Sequence, residues 1–130
     1  MLARAGKDVT LVTYSKMYYA TMKAAEQLAA EGIQAEVIDL RSLRPLDMGP
    51  VVESVKKTNR AVVVEEGWMS YGVGAEVSAR LQSECFDFLD APVKRVAQAE
   101  VPLPYNQRLE QMALPDQEKI VRAAKEVLYV

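Results

Sequence analysis

Two stretches of the chain, Val9-Thr10-Leu11-Val12-Thr13 and Ala61-Val62-Val63-Val64, are runs of apolar and β-branched residues with no charged side chain among them. A strand wetted on one face alternates polar with apolar residues, whereas a strand covered on both faces reads as a near-continuous apolar run. Covered strands of this kind belong to parallel sheets, because the crossovers that join parallel strands lay helices over both faces. The two runs therefore commit the chain to a sheet held between helical layers.

The remaining segments supply those layers. Residues 16–31 carry Ala20, Ala24 and Leu28 at the i, i+4, i+8 spacing of one helix face, and Gly32 sits where a helix ends. Ala35-Glu36-Val37-Ile38-Asp39-Leu40 reads as a second strand, and Asp47 is placed to cap a helix through Val51, Val52 and Val55 with Pro50 in its tolerant first turn. After a third strand over residues 60–66, a helix from about Gly74 presents Val77, Leu81 and Cys85 at intervals of four. Residues 93–97 form a fourth short strand. Pro102 and Pro104 make residues 100–105 an extended covering loop, and a short helical stretch surrounds Leu109 and Met112. A last helix starts at Pro115 with Asp116 as its cap, turning Ile120, Ala124, Val127 and Leu128 inward. This alternation predicts an α/β fold, a three-layer α/β/α sandwich with a mostly parallel sheet and right-handed crossovers. No linker or repeat divides residues 1–130, which read as one domain.

Composition narrows the function more than the fold. The chain has no histidine, which removes Ser-His-Asp and Cys-His catalysis and the usual histidine-containing zinc sites. A net charge of −2 with both signs interspersed leaves no basic footprint for nucleic acid and no polybasic stripe for a membrane. The lone Cys85 forms no internal disulfide, which fits a reducing compartment, and its spacing from Val77 and Leu81 makes it a core residue with no base to activate it.

In open α/β sheets ligands gather beyond the carboxyl ends of the strands, so Glu65, Glu66, Gly67 and Trp68 hold the address of most interest. Adjacent carboxylates on an extended chain point to opposite sides and cannot face one substrate as an acid/base pair. A structural or subunit-contact role suits them better, and Trp68 suits an interface anchor. Gly72-Val73-Gly74 begins like a dinucleotide fingerprint, but Val77 replaces its third glycine. Its glycines either expose backbone N–H groups to an anion at a helix start or, more commonly, permit close packing of the turn. Arg41 and Arg44 around Ser42 offer a phosphate or carboxylate clamp, against the plainer reading that one of them pairs with a neighbouring acid.

From Gly6 onward the sequence resembles the C-terminal domain shared by transketolase-type enzymes, in the form found in beta subunits of pyruvate dehydrogenase and its relatives. The resemblance rests on residues 8–15, on Glu36-Val37-Ile38-Asp39-Leu40-Arg41-Ser42-Leu43-Arg44-Pro45-Leu46-Asp47, and on Ser54-Val55-Lys56-Lys57-Thr58. It continues through Val64-Glu65-Glu66-Gly67-Trp68, Gly72-Val73-Gly74-Ala75-Glu76, Phe88-Leu89-Asp90-Ala91-Pro92 and Val101-Pro102-Leu103-Pro104-Tyr105. The resemblance implies about five strands, the first antiparallel at an edge. It implies an oxidoreductase that uses thiamine diphosphate and magnesium to turn pyruvate into an acetyl group on lipoamide with release of CO2. The cofactor-binding N-terminal domain of that family is absent, so no catalytic, cofactor or metal residue carries over to this chain, and this domain alone is expected to bind no cofactor. The implied partners are an alpha subunit and a second beta subunit in an α2β2 enzyme, together with the subunit-binding domain of a dihydrolipoyl acyltransferase. Glu65, Glu66, Trp68, Met69 and Tyr71 are the expected subunit contacts. Asp90 and the terminal carboxylate at Val130 are the expected docking groups, against the plainer reading that Asp90 closes a turn before Pro92. The chain stops at the family's usual distance past the proline-rich loop, which implies a native terminus at Val130. The implied compartment is a bacterial cytoplasm or a mitochondrial matrix. Competing readings are an anion- or nucleotide-binding regulatory domain, transketolase proper, and the same domain from a branched-chain 2-oxo acid or acetoin dehydrogenase.

Overall fold

The computed structural model describes residues 1–14, 17–41, 47–68, 73–98 and 117–130, with the backbone alone for 66–68 and 98. In chain order these form β1 (Leu2–Arg4), β2 (Val9–Thr13), α1 (Met17–Ala30), β3 (Ala35–Asp39), α2 (Gly49–Thr58), β4 (Ala61–Trp68), α3 (Val73–Glu84), a short 3-10 turn (Phe86–Phe88), β5 (Lys94–Gln98) and α4 (Gln117–Leu128). The strands make one five-stranded sheet in the order β1-β3-β2-β4-β5. β2, β3, β4 and β5 are parallel, with Val12 opposite Ile38 on one side and Val63 on the other. The antiparallel edge is Leu2–Arg4, pairing with β3, while the first apolar run, β2, lies at the centre.

Side-chain alternation sorts the helices onto two faces. Val9 and Leu11 of β2, Val37 of β3 and Val62 and Val64 of β4 point to one face, where they pack with Ala24 and Leu28 of α1 and Ile120, Ala124 and Val127 of α4. Val12, Ile38, Ala61 and Val63 point to the other, against Val51 and Val55 of α2, Val77 and Leu81 of α3, and Cys85 just after it. Each fully buried Leu or Val removed from water contributes roughly 1.5–3 kcal/mol, and the two clusters together form the sandwich core.

Local punctuation follows the sequence with one shift in register. α1 ends at Gly32, whose φ is 84°, with Gly32 N–H donating to Ala29 O and Ile33 N–H to Leu28 O. Asp47 does bond at the start of α2, its Oδ1 accepting from Gly49 N–H at 3.0 Å, but the capping position itself is Met48, one residue on, because Gly49 and Pro50 already form the first turn. The expected loop over residues 100–105, the helical stretch around Leu109 and Met112, and Pro115 and Asp116 all lie outside the described residues.

A polar seam runs under α2. Thr10 Oγ1 bonds both Ser54 Oγ and Thr58 Oγ1 at 2.7 Å, and the buried Glu36 accepts from Lys57 Nζ and from Gly6 N–H. Burial pushes the Glu36 carboxyl up, but hydrogen bonds from Lys57, Ser54 and the Gly6 backbone, with the Lys57 charge, outweigh it and hold the group below its ordinary value of 4.5. A carboxyl whose folded-state pKa is depressed contributes stability that is present above the unfolded value, here about 4.5, and lost as pH falls through the folded one. Glu36→Gln is therefore expected to cost more stability at pH 7 than at pH 3 in urea unfolding. A loss that does not change between the two pH values would remove the ion pair from the account.

Candidate functional site

The sheet order reverses between β2 and β4: the chain leaves β2 toward β3 on one side and then crosses to β4 on the other. In doubly wound sheets this switch point opens the crevice where ligands bind. In this chain the crevice is filled from within. Past the pairing of Thr13 with Val64, the next residues at the two carboxyl ends are Tyr14 and Glu65. The Glu65 side chain is 0% exposed. Its Oε2 accepts from Gly74 N–H at 2.9 Å and from Tyr14 Oη at 3.2 Å, and its Oε1 accepts from Arg95 Nη2 at 2.9 Å.

Each partner reaches the carboxylate for a local reason. β4 and β5 lose register between Val64 and Trp68, where four steps along β4 match two along β5, and such an irregularity re-aims the side chains within it. Arg95, paired in register with Val63, projects from β5 toward the same face as Glu65. Gly74 lies in the first turn of α3, whose unpaired N–H groups and dipole favour an anion. A Cβ at position 74 would stand 2.4 Å from Glu65 Oε1, so the glycine is there for close approach. The two sequence readings of Gly74 thus merge: the turn is tightly packed, and the anion at the helix start is the chain's own Glu65. That helix start leaves no room for an external phosphate.

This placement corrects one expectation. Glu65 is not a surface contact side chain, because its carboxylate is buried and bonded on both oxygens inside the domain. Glu66 and Trp68 are located by backbone alone, at the end of β4, and Met69, Tyr71 and Gly72 lie outside the described residues. So do Ser42 and Arg44 of the second candidate clamp, while Arg41 stands 3.6 Å from its neighbour Asp39, the plainer of its two readings. Cys85 is fully buried; desolvation pushes its thiol up, with Lys56 pulling it partly back and Glu84 adding to the rise.

Asp90 and Val130 lie at the opposite, amino-terminal end of the parallel strands. Asp90 N–H donates to Asn59 O just before β4, and Arg60 stands between Asp90 Oδ2, at 3.7 Å, and Val127 O near the end of α4, to which its Nε donates at 2.9 Å. The backbone of Asp90 is thus held to the foot of β4, but its side chain stays 55% exposed and its ion pair is long. Val130 is 79% exposed and borders an open cleft of about 430 Å³ lined also by Asp8, Glu31, Gly32, Ile33, Lys125 and Leu128. Arg60 was not singled out from the sequence, since its two contacts lie 30 and 67 residues away. Among the described residues no group of three or more Cys, Asp or Glu side chains is arranged to hold a metal ion, and no helix is long and apolar enough to cross a membrane.

Comparison with known proteins gives a consistent picture. The family model for the transketolase C-terminal domain matches residues 1–120. Pyruvate dehydrogenase E1 component subunit beta-1, mitochondrial, from Arabidopsis thaliana is 56% identical over 98% of this chain, which covers 35% of that protein. The corresponding beta subunit of Rickettsia bellii is 47% identical over 96% of this chain and 38% of its own length. Among solved structures, one described as a split gene transketolase, inactive beta4 tetramer, has a TM-score of 0.85 at 32% identity, over 99% of this chain and 41% of that one. A 2-oxoglutarate:ferredoxin oxidoreductase from Magnetococcus marinus shares the fold alone, with a TM-score of 0.64 at 16% identity. This chain spans about a third of the length of the curated relatives it matches.

Gly74→Ala is expected to destabilise the fold by roughly 3 kcal/mol, because the added methyl displaces a carboxylate that three donors hold in place. Chemical denaturation measures this, and a change below about 0.5 kcal/mol, the size of an ordinary surface substitution, would mean that Glu65 relaxes freely.

Proposed function

The chain belongs to the transketolase C-terminal domain family, and we propose that it is the C-terminal domain of a pyruvate dehydrogenase E1 beta subunit, where it assembles and docks the enzyme without supplying a catalytic group. The observation that carries this reading is 56% identity to such a subunit along 98% of the chain. In the whole enzyme the reaction would be oxidative decarboxylation of pyruvate, with transfer of the acetyl group to lipoamide. Thiamine diphosphate, with magnesium, would supply an electron sink for the decarboxylation, but the described residues do not fit it. The start of α3, at the carboxyl end of β4, is already neutralised by Glu65, and a diphosphate there would meet that carboxylate. No step of the chemistry is therefore assigned to this chain. Pyruvate is favoured over a branched-chain 2-oxo acid or acetoin by the names of the relatives. Their origins, mitochondrial in plants and Dictyostelium and bacterial in Rickettsia, support a mitochondrial matrix or a bacterial cytoplasm as the compartment.

The partners proposed are an alpha subunit, a second beta subunit, and the subunit-binding domain of a dihydrolipoyl acyltransferase. A beta-type assembly is named for one solved relative, the beta4 tetramer. Glu66, Trp68, Met69 and Tyr71 are retained as the proposed subunit contact. Asp90 and the Val130 carboxylate are proposed to receive cationic side chains of the subunit-binding domain. Their exposure and their shared location at the amino ends of the strands support this, and the long bond to Arg60 leaves Asp90 available.

Two outcomes are expected. Calorimetry of the 130-residue chain with thiamine diphosphate and magnesium should show no binding at micromolar concentrations; heat that titrates to saturation in that range would place a cofactor site in this domain. Asp90→Asn in the assembled enzyme should raise the dissociation rate of the subunit-binding domain and weaken docking by roughly 2 kcal/mol, about 30-fold, if the charge is desolvated on binding. Surface plasmon resonance reads this directly, and an unchanged affinity would put docking elsewhere.

A further inference from the structure

The Glu65 cluster has a feature that domain stability alone does not require. A buried ion pair is a weak stabiliser, since apolar side chains of similar volume serve as well, and what it does supply is a fixed geometry. Three donors from three different elements, Tyr14 beyond β2, Arg95 in β5 and the Gly74 backbone in α3, converge on one carboxylate in β4. The Glu65–Gly74 contact also joins the two ends of the β4–α3 connection: these residues are nine apart in sequence and bonded at 2.9 Å. Glu66, Trp68, Met69 and Tyr71, the proposed subunit contact, fall between them in sequence.

We propose that Glu65 is a positioning residue for assembly, a built-in anion that occupies the switch-point site in place of an external one and fixes the start of α3 and the ends of the β4–α3 connection for contact with another subunit. The inference rests on the assembly role proposed above. It accounts for the close approach at Gly74, where a Cβ would stand 2.8 Å from Glu65 Cδ, and for the placing of a guanidinium against a carboxylate that is 0% exposed. It also specifies what the site would accept if the carboxylate were removed: a small monoanionic carboxylate, held by one backbone N–H, one phenol and one guanidinium.

The test uses a full beta subunit carrying this chain at its C-terminal end, coexpressed with its alpha subunit, and follows tetramer formation by sedimentation velocity and folding by circular dichroism. Glu65→Gln keeps the shape and removes the charge, and it is expected to weaken assembly at least tenfold while the subunit remains folded. Glu65→Ala is expected to lower the melting temperature by roughly 10 °C or more, and acetate, but not acetamide, should restore both folding and assembly in a saturable way. If Glu65→Ala does not fold, the Glu65→Gln result decides alone. Assembly of folded Glu65→Gln within threefold of the wild type overturns the proposal, and so does acetate rescue of folding without rescue of assembly. A wild-type subunit that forms no complex with its alpha subunit refutes the assembly role itself and this proposal with it, an outcome separate from the first two.

Discussion

A carboxylate placed where no water reaches it constrains everything around it, and Glu65 is such a group. Left unpaired it would cost several kcal/mol, so its neighbours are bound to satisfy it. Arg95 must project from β5 toward the same face, α3 must begin with its N–H groups aimed at β4, and position 74 must lack a side chain. Tyr14 extends the requirement to the central strand. The disturbed register between β4 and β5 beside this group fits the same demand, since a regular ladder would have carried the strand past it unchanged.

The two ends of the sheet consequently differ in character. At the carboxyl ends, where open α/β sheets usually receive ligands, Tyr14, Glu65, Arg95 and the Gly74 backbone are turned on one another. At the amino ends the surface stays open, with the cleft beside Gly32 and Val130 and an acidic turn at Asp90. That division suits a domain that presents surfaces to other proteins, and it is consistent with relatives that are subunits of larger enzymes.

Much of the fold was legible because its signals are local. Continuous apolar runs marked β2 and β4, spacing by four marked the faces of α1, α3 and α4, and Gly32 marked a helix end. The resemblance implied an antiparallel edge strand, but the residues did not place it at Leu2–Arg4, since three residues carry no periodicity and the pairing with β3 depends on a segment more than thirty positions away. The cap of α2 was off by one because a proline and a glycine can both occupy a first turn, and only the backbone decides which residue precedes it. Glu65 was read at the right address but with the wrong neighbours. Its partners lie 9, 30 and 51 residues away, and the usable hint was an acid closing an apolar run with a glycine-led helix after it and an arginine in the next strand. Arg60 offered no comparable hint.

The corner formed by Arg60 bears on how the end of α4 is secured. A helix held by its apolar face alone can fray from its last turn. Here the carbonyl of Val127 is bonded to a side chain at the foot of β4, and the residue before that side chain is bonded to the backbone at Asp90. A pull on the outer surface at this corner is therefore shared between α4, the turn before β5 and a strand in the middle of the sheet. The end of the helix is thereby tied to the start of an interior strand of the sheet, so that releasing its last turn also breaks the bond to Arg60.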